Sequence, residues 1–373
     1  MTLRERRSHA HFTAVVMLRN EVGHEGAKTL RICHAEGNMQ KLSSVLFAIL
    51  ISINIIAVAR ESLAQSSEAP LPKKGTRLLT LGTRAGPVPT VGRAQSSNLL
   101  IVNGRLYVVD AGPGVTRRLT RAGISIRDID NIFITHAHSD HTGGLGELLT
   151  AEYNFNRNRT KAVNIYGPLG TETLVKALMQ TLSIYSDLLI SDGRGTVPVA
   201  KVFFGHDTGT GVIYQDANVK VTAAENTHFN FPPGTPAYGK YKSYAFRFET
   251  PDRVVVFTGD TGPSAAVTEL AKGADMLISE VHSVEEWKER QIKIGRWQSM
   301  TPEQRAASIR HMSQEHLTPD EVGKMAARAG VKTVVLTHLP VTADPKDDYK
   351  RFGEQVKKHF SGQVLIAKDL MEF

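Results

Sequence analysis

The chain has 373 residues, of which 41% are hydrophobic and 22% charged, so it can bury a large core and is not a polar, disordered tract. Its formal charge is +8, but residues 1–64 hold eight Lys or Arg against five Asp or Glu; about +5 is left for the rest, with no basic run interleaved with aromatics, which argues against a dedicated nucleic-acid surface. A single cysteine, Cys33, excludes an intramolecular disulfide and leaves only His and carboxylate side chains to hold a metal.

In chain order, Met39-Gln40-Lys41 opens a positive start followed by an apolar stretch, Val45–Ala59, and a small-x-small site at Ser62-Leu63-Ala64. This pattern is expected of a secretory signal, with translation starting at Met39, cleavage near Ala64 and a periplasmic or secreted product. The apolar core is short for a membrane span, which takes roughly twenty residues, so an uncleaved anchor is the alternative. Residues 65–74 (QSSEAPLPKK) read as a linker, and one continuous domain is expected over residues 75–373. Strands are predicted at Arg77–Leu81, Leu99–Val102, Leu106–Val109, Asn131–Thr135, Val219–Ala223, Tyr244–Glu249, Val254–Thr258, Met276–Ser279 and Thr333–Thr337. Asn103-Gly104, between two apolar runs, signals a tight hairpin. Helices are predicted near Val115–Ala122, Leu169–Leu182, Pro263–Ala271, Val284–Ile292, Thr301–His311, Pro319–Ala329 and Asp347–His359. The class is α/β, with two half-domains, each a sheet with helices outside, meeting as an αββα sandwich.

The chemistry concentrates at Ile132-Phe133-Ile134-Thr135-His136-Ala137-His138-Ser139-Asp140-His141-Thr142-Gly143-Gly144. An apolar run ends in three histidines and an aspartate within six positions, followed by a glycine pair. Strand ends are where α/β folds place chemistry, because loops there are rigidly held yet open to ligand. Ligands this dense on one turn can hardly all serve one tetrahedral ion, so they divide between two neighbouring ions. A chance polar loop does not account for that density.

His-x-His-x-Asp-His after an apolar strand resembles the signature of the metallo-β-lactamase superfamily, and further motifs follow in the family's order. Val108-Val109-Asp110-Ala111-Gly112 is similar to an early strand-ending motif, Glu225-Asn226-Thr227-His228 to the third motif, Phe257-Thr258-Gly259-Asp260-Thr261 to the fourth and Val335-Leu336-Thr337-His338-Leu339 to the fifth. The resemblance spans nearly all of residues 76–373. It implies a metallo-β-lactamase fold in which His136, His138 and His228 hold one zinc, Asp140, His141 and His338 hold a second, and Asp260 bridges both. Alone, His228 or His338 would be an ordinary polar residue; order and flanking sequence make them ligands. Asp110 is expected to orient a ligand histidine or brace the loop. A histidine at 138, where redox di-iron members carry Glu, favours zinc and hydrolysis; Mn²⁺ or Fe²⁺ are the other candidates.

The resemblance implies attack by a metal-bridging hydroxide, with Asp140 at the catalytic centre. Two Zn²⁺, two aspartates and that hydroxide leave about +1, a field suited to an anionic ester. His316, before the helix start Thr318-Pro319-Asp320-Glu321, resembles a histidine of ribonuclease Z and its relatives that contacts the scissile group and assists the leaving oxygen. Leu81-Gly82-Thr83-Arg84-Ala85-Gly86-Pro87 and Arg93-Ala94-Gln95-Ser96-Ser97 resemble the opening of the ribonuclease Z and arylsulfatase branches; with Thr337-His338-Leu339-Pro340, their likeness is closest to the arylsulfatase-like branch. Arg93 contacts an anionic ester or forms a structural salt bridge. His206, His282, His311 and His359 match no motif and read as structural or surface, while Glu280 and His282, after an apolar strand, are within range of the pocket. The expected substrate is a small sulfate ester or phosphodiester, with a homodimer compatible and no stable membrane span in the mature chain. A ribonuclease Z-type tRNA 3′-processing endonuclease and a lactonase or carboxylic-ester hydrolase are the alternatives. Against tRNA processing, and so against a nucleic-acid partner, stand apparent export, the absence of a long Gly/Pro-rich arm (Ser191–Pro198 is only a short loop), and Leu-Pro-Val-Thr after His338 where ribonuclease Z has Ser-x-Arg-Tyr.

Overall fold

The computed structural model describes residues 74–342 and 347–373. The expected signal segment and the expected linker up to residue 73 lie outside the described residues. Two seven-stranded sheets carry the fold. In the first, β1 (Thr76–Gly82), β2 (Ser97–Val102) and β3 (Arg105–Val109) run antiparallel to their neighbours, and β4 (Ile129–Phe133), β5 (Val163–Gly167) and β6 (Phe203–Asp207) continue in parallel from β3. In the second, β7 (Gly211–Gln215), β8 (Lys220–Glu225), β9 (Tyr244–Glu249) and β10 (Val254–Phe257) are antiparallel. From β10, parallel pairing continues through β11 (Met276–Glu280) and β12 (Thr333–Thr337) to β13 (Gln363–Ile366). The last strand, β14 (Met371–Glu372), returns to pair with β1.

Alternation along each strand builds the layers. Leu106 and Val108 join the outer cluster of the first sheet, whereas Tyr107 and Val109 face inward with Phe133, Phe246, Phe248 and Val335 from both sheets. Outside the first sheet pack α1 (Val115–Arg121), α3 (Leu145–Phe155) and α4 (Thr171–Ser191), with α2 (Ser139–Thr142) a single turn before α3. Outside the second lie α5 (Ala265–Leu270), α9 (Pro319–Ala329) and α10 (Lys350–Val356). The result is the expected αββα sandwich. Asn103 and Gly104 both have positive φ (50° and 79°), as a primed hairpin turn requires.

A third helical group, α6 (Val284–Lys293), α7 (Arg296–Ser299) and α8 (Pro302–Gln314), lies between β11 and α9. Helix α4 runs on to Ser191, well past the predicted Leu182. Among the described residues, no helix is long and apolar enough to cross a membrane.

Candidate metal centre

Five loops, each following a strand end, converge on one point. After β4, Thr135 donates its amide to Asp110 Oδ1 (2.8 Å) and its hydroxyl lies 3.0 Å from both Asp110 oxygens. Asp110 itself sits at φ 62° just past β3 and reaches His141 Nδ1 at 2.8 Å. It therefore both braces the loop and orients His141, the two roles expected for it. Thr135 Oγ1 also holds His136 Nδ1 at 3.0 Å, so the Nε2 atoms of His136 and His141 are left facing inward. The chain packs tightly beneath them: a Cβ on Gly112 would stand 2.2 Å from the Asp140 carbonyl.

Past β8, Asn226 donates to the Thr258 carbonyl (3.0 Å) and accepts from the His228 amide (3.1 Å), tying the third and fourth motif loops together. His228 Nδ1 is held by the Glu315 carbonyl at 2.9 Å, which turns Nε2 toward His138 Nδ1, 3.1 Å away. His338 follows β12 at φ 48°, a left-handed backbone that a histidine adopts only when its surroundings hold it there. Its Nε2 lies 3.2 Å from Asp260 Oδ2 and 3.3 Å from Asp140 Oδ2.

The seven side chains fall into two groups. His136, His138, His228 and Asp260 form one; Asp140, His141, His338 and Asp260 form the other; within each, the ligand atoms all lie within 4.8 Å of one another. Separations of 3.1–3.3 Å for three of these pairs match the edge of a tetrahedron built on bonds of about 2.0–2.1 Å. His136 Nε2, His141 Nε2 and Asp260 Oδ1 are buried without a hydrogen-bond partner. Inward orphans of this kind are costly unless something binds them, and the donor set fits divalent metal. The charge state agrees for most members: burial keeps His136 neutral and pushes His228 down to about 3. Burial would raise Asp140, but His141 and His338 hold it well below the usual carboxylate range. Burial likewise opposes protonation of His141, yet Asp260 and Asp110 raise it; a bound cation competes for that same site.

Beside this cage, Glu280 ends β11. Its Oε1 accepts from the Thr261 amide (2.6 Å) and its Oε2 lies 2.7 Å from His316 Nδ1. Glu280 thus fixes the Asp260 loop and His316 together, a pairing the sequence reading left open. Burial drives both groups toward their uncharged forms, His316 down and Glu280 up. His316 lies in the turn between α8 and α9, held by the Thr318–Glu321 capping box. A cavity of about 590 Å³ opens over the cage, and His138, Asp140, Asp260, His316 and His338 line it.

Some expectations need correcting. Arg93 neither enters the cavity nor forms a salt bridge; it donates to Thr83 Oγ1 (2.6 Å) and the Ala367 carbonyl (3.0 Å) beneath the Tyr349 ring. Arg84, nine residues earlier, lines the cavity instead. His311, expected to be structural or at the surface, lines the cavity, as does His282, which the sequence placed within range of the pocket. His206, stacked on Tyr166 and bonded to Asn164, and His359, beside Asp320, are structural and peripheral as expected.

The sequence profile of the β-lactamase superfamily domain matches residues 105–339. The chain belongs to the metallo-β-lactamase superfamily. Among its relatives is a ribonuclease Z of Mycobacterium sp. (strain KMS), 30% identical over 295 residues, covering 78% of this chain and 93% of that protein. Another, the ribonuclease Z of Haloarcula marismortui, is 27% identical over 336 residues, covering 79% and 96%. The metallo-β-lactamase fold protein YhfI of Bacillus subtilis superposes with a TM-score of 0.57 at 20% identity, over 80% of this chain and 98% of that one. The short form of human tRNase Z gives 0.53 at 20% identity, over 80% and 98%. These superpositions establish the fold, and the family makes this chain a metal-dependent hydrolase.

Proposed function

We propose that this superfamily member is a two-zinc phosphodiesterase with ribonuclease Z-type chemistry. The observation that carries the reading is the shared carboxylate of Asp260 between two His/Asp groups, with His316 beside them in one cavity. His136, His138 and His228 would hold one ion, Asp140, His141 and His338 the other, and Asp260 both. When bound, the ions supply an activated water near neutral pH and positive charge for the developing phosphorane-like oxygens.

The chain's own residues do the rest. Asp140, fixed through Oδ2 by the Gly86 amide at 2.9 Å, keeps its loop in register for attack. His316, its Nδ1 tied to Glu280, turns its other nitrogen to the cavity, where it can hydrogen-bond a non-bridging oxygen or give a proton to the leaving oxygen. Helices α6 to α8 line the cavity through Trp287, Arg290, Arg296 and His311. Sulfate-ester cleavage, expected from sequence beside phosphodiester cleavage, gains no support from relatives named as ribonucleases, so the phosphodiester is the reading kept.

A ribonuclease acting on RNA 3′ ends is the second reading, favoured by relatives that carry the ribonuclease Z name over 93% of their length. Parallel assays with bis-p-nitrophenyl phosphate, p-nitrophenyl sulfate and precursor tRNA test both. Turnover of the diester, with or without tRNA cleavage, is the expected result. Sulfate turnover without diester turnover would sink the proposal.

A further inference from the structure

Arg84 is 5% exposed and lines the cavity, yet among the described residues it has no carboxylate partner. Its Nη1 donates only to the Leu339 carbonyl (3.3 Å), and its Nε is buried with no partner at all. The backbone leaves it no freedom to swing away: Arg84 bridges Gln95 on one side and Leu339, next to His338, on the other. Burial, opposed by Tyr349 and Asp140 and aided by the nearby Arg290, brings its guanidinium down to about 10. Arg290, on α6, also lines the cavity and makes no ion pair among the described residues. Its neighbour Gln291 is 3% exposed and lines the same cavity, with its Oε1 buried and unpartnered; with the amide turned over, the NH₂ donor takes that position. Two guanidinium groups thus face one space without an ion pair of their own, and the acidic group that acts on Arg84, Asp140, is already engaged by the Gly86 amide and His338, so an entering anion would pair with both. Two guanidinium groups from different elements suit a tetrahedral oxyanion better than a single planar carboxylate. Trp287 and Phe231 on the same cavity wall offer faces on which a base or aryl ring lies.

Resting on the phosphodiesterase reading, we infer that Arg84, Arg290 and Gln291 form a second phosphate subsite, so that preferred substrates carry a further phosphate besides the scissile one. That phosphate is either terminal, on a small nucleotide-like molecule, or the next diester of a short nucleic-acid chain.

The metal-loaded full chain is assayed with p-nitrophenyl thymidine 5′-phosphate, with the same ester carrying a 3′-phosphate, and with a p-nitrophenyl dinucleotide. The expected KM is about tenfold lower for the 3′-phosphorylated ester, as one lost charge-assisted contact predicts. Arg84→Met and Arg290→Met each bring that ratio close to one. If the dinucleotide shares the advantage, the second phosphate is a chain phosphate; if not, it is a terminal one. An equal KM for both mononucleotide esters in the unaltered protein overturns the subsite, as does a ratio that survives in both variants. Arg290→Met, on a half-buried helix position, serves where Arg84→Met does not fold, and metal content checks both. Should neither ester be turned over, the phosphodiesterase reading fails separately. Calorimetry with thymidine 3′,5′-bisphosphate against thymidine 5′-phosphate then judges the subsite alone: equal affinity refutes it, and tighter bisphosphate binding lost in Arg290→Met supports it.

Discussion

Asp110 touches no candidate ion, yet its carboxylate reaches His141 directly and His136 through Thr135, one histidine from each half of the cage. Removing it frees both rings to rotate. Asp110→Ala is therefore expected to weaken metal affinity by about 10- to 100-fold, measured by competition with a chelator, while His138→Ala lowers the zinc count per chain outright. An unchanged affinity in Asp110→Ala would show that packing alone orients the rings. The Glu280–His316 contact makes a different prediction, because His316 stands outside the two groups that share Asp260 and lines the cavity. His316→Gln should lower kcat on a diester by about 10² to 10⁴ with metal content intact, and Glu280→Gln should lower it less and displace the acidic limb of the pH profile. If His316→Gln leaves diester turnover unchanged, the proton-donor role is wrong.

At the level of elements, what the sequence revealed follows from where side chains point. The runs that lead into His136 (Ile132-Phe133-Ile134), Asp260 (Val254–Phe257) and His338 (Val334-Val335-Leu336) are apolar because they are buried, and an apolar run that stops at a ligand-type residue is visible without any structure. His136, His138, Asp140 and His141 stood out by their density after such a run, whereas His228, which follows the polar KVTAAE strand, was marked only by the order of the family motifs, as Asp260 and His338 also were. Glu280 stands in the same context, ending the apolar MLISE strand, but a lone carboxylate has no spacing partner to mark it. The short strands β5, β7 and β13 escaped because four or five residues with half-exposed positions give no clear period. Helices α6 and α8 were expected and the short α7 was not, and nothing in the low-hydrophobicity pattern of this group shows that it lines a cavity, so Arg290 and Gln291 could not be placed. The turn that follows α8 is where the helices meet the chemistry. A Cβ on Gly262 would stand 1.8 Å from the Gln314 carbonyl, and Thr318 caps α9 from the other side. Gly262→Ala is expected to destabilise by about 1–3 kcal/mol through overpacking, and Thr318→Ala by about 1 kcal/mol through the lost cap. Differential scanning calorimetry measures both, and a drop in kcat accompanying Gly262→Ala at a temperature where the chain remains folded would tie the turn to His316.

At the scale of the whole molecule, the two sheets bring their strand ends to one rim and bury a cluster of histidines there. His228 and His282 are both pushed down to about 3, His228 by burial and His282 by burial with His338 nearby. An unfolded chain protonates a histidine near pH 6.5, whereas these two stay neutral in the fold until about pH 3. Below pH 6.5 the unfolded state therefore binds more protons than the folded one. By linkage, stability is full above that pH and falls as pH drops toward 3. The slope is at most about 1.4 kcal/mol per pH unit for each such histidine. Proton competition for the metal ligands acts in the same direction, so the two sources must be separated. His282 belongs to neither metal-binding group, which makes it the discriminating position. Urea unfolding of the zinc-loaded protein between pH 7 and 4.5 should show stability declining with acid, and His282→Gln should decline less steeply by about one proton's share while retaining its zinc. An identical slope in His282→Gln would assign the acid sensitivity to metal release alone. Treatment with a chelator at pH 7.5, where the histidine contribution is silent, then measures how much of the sandwich depends on the ions that its five loops enclose.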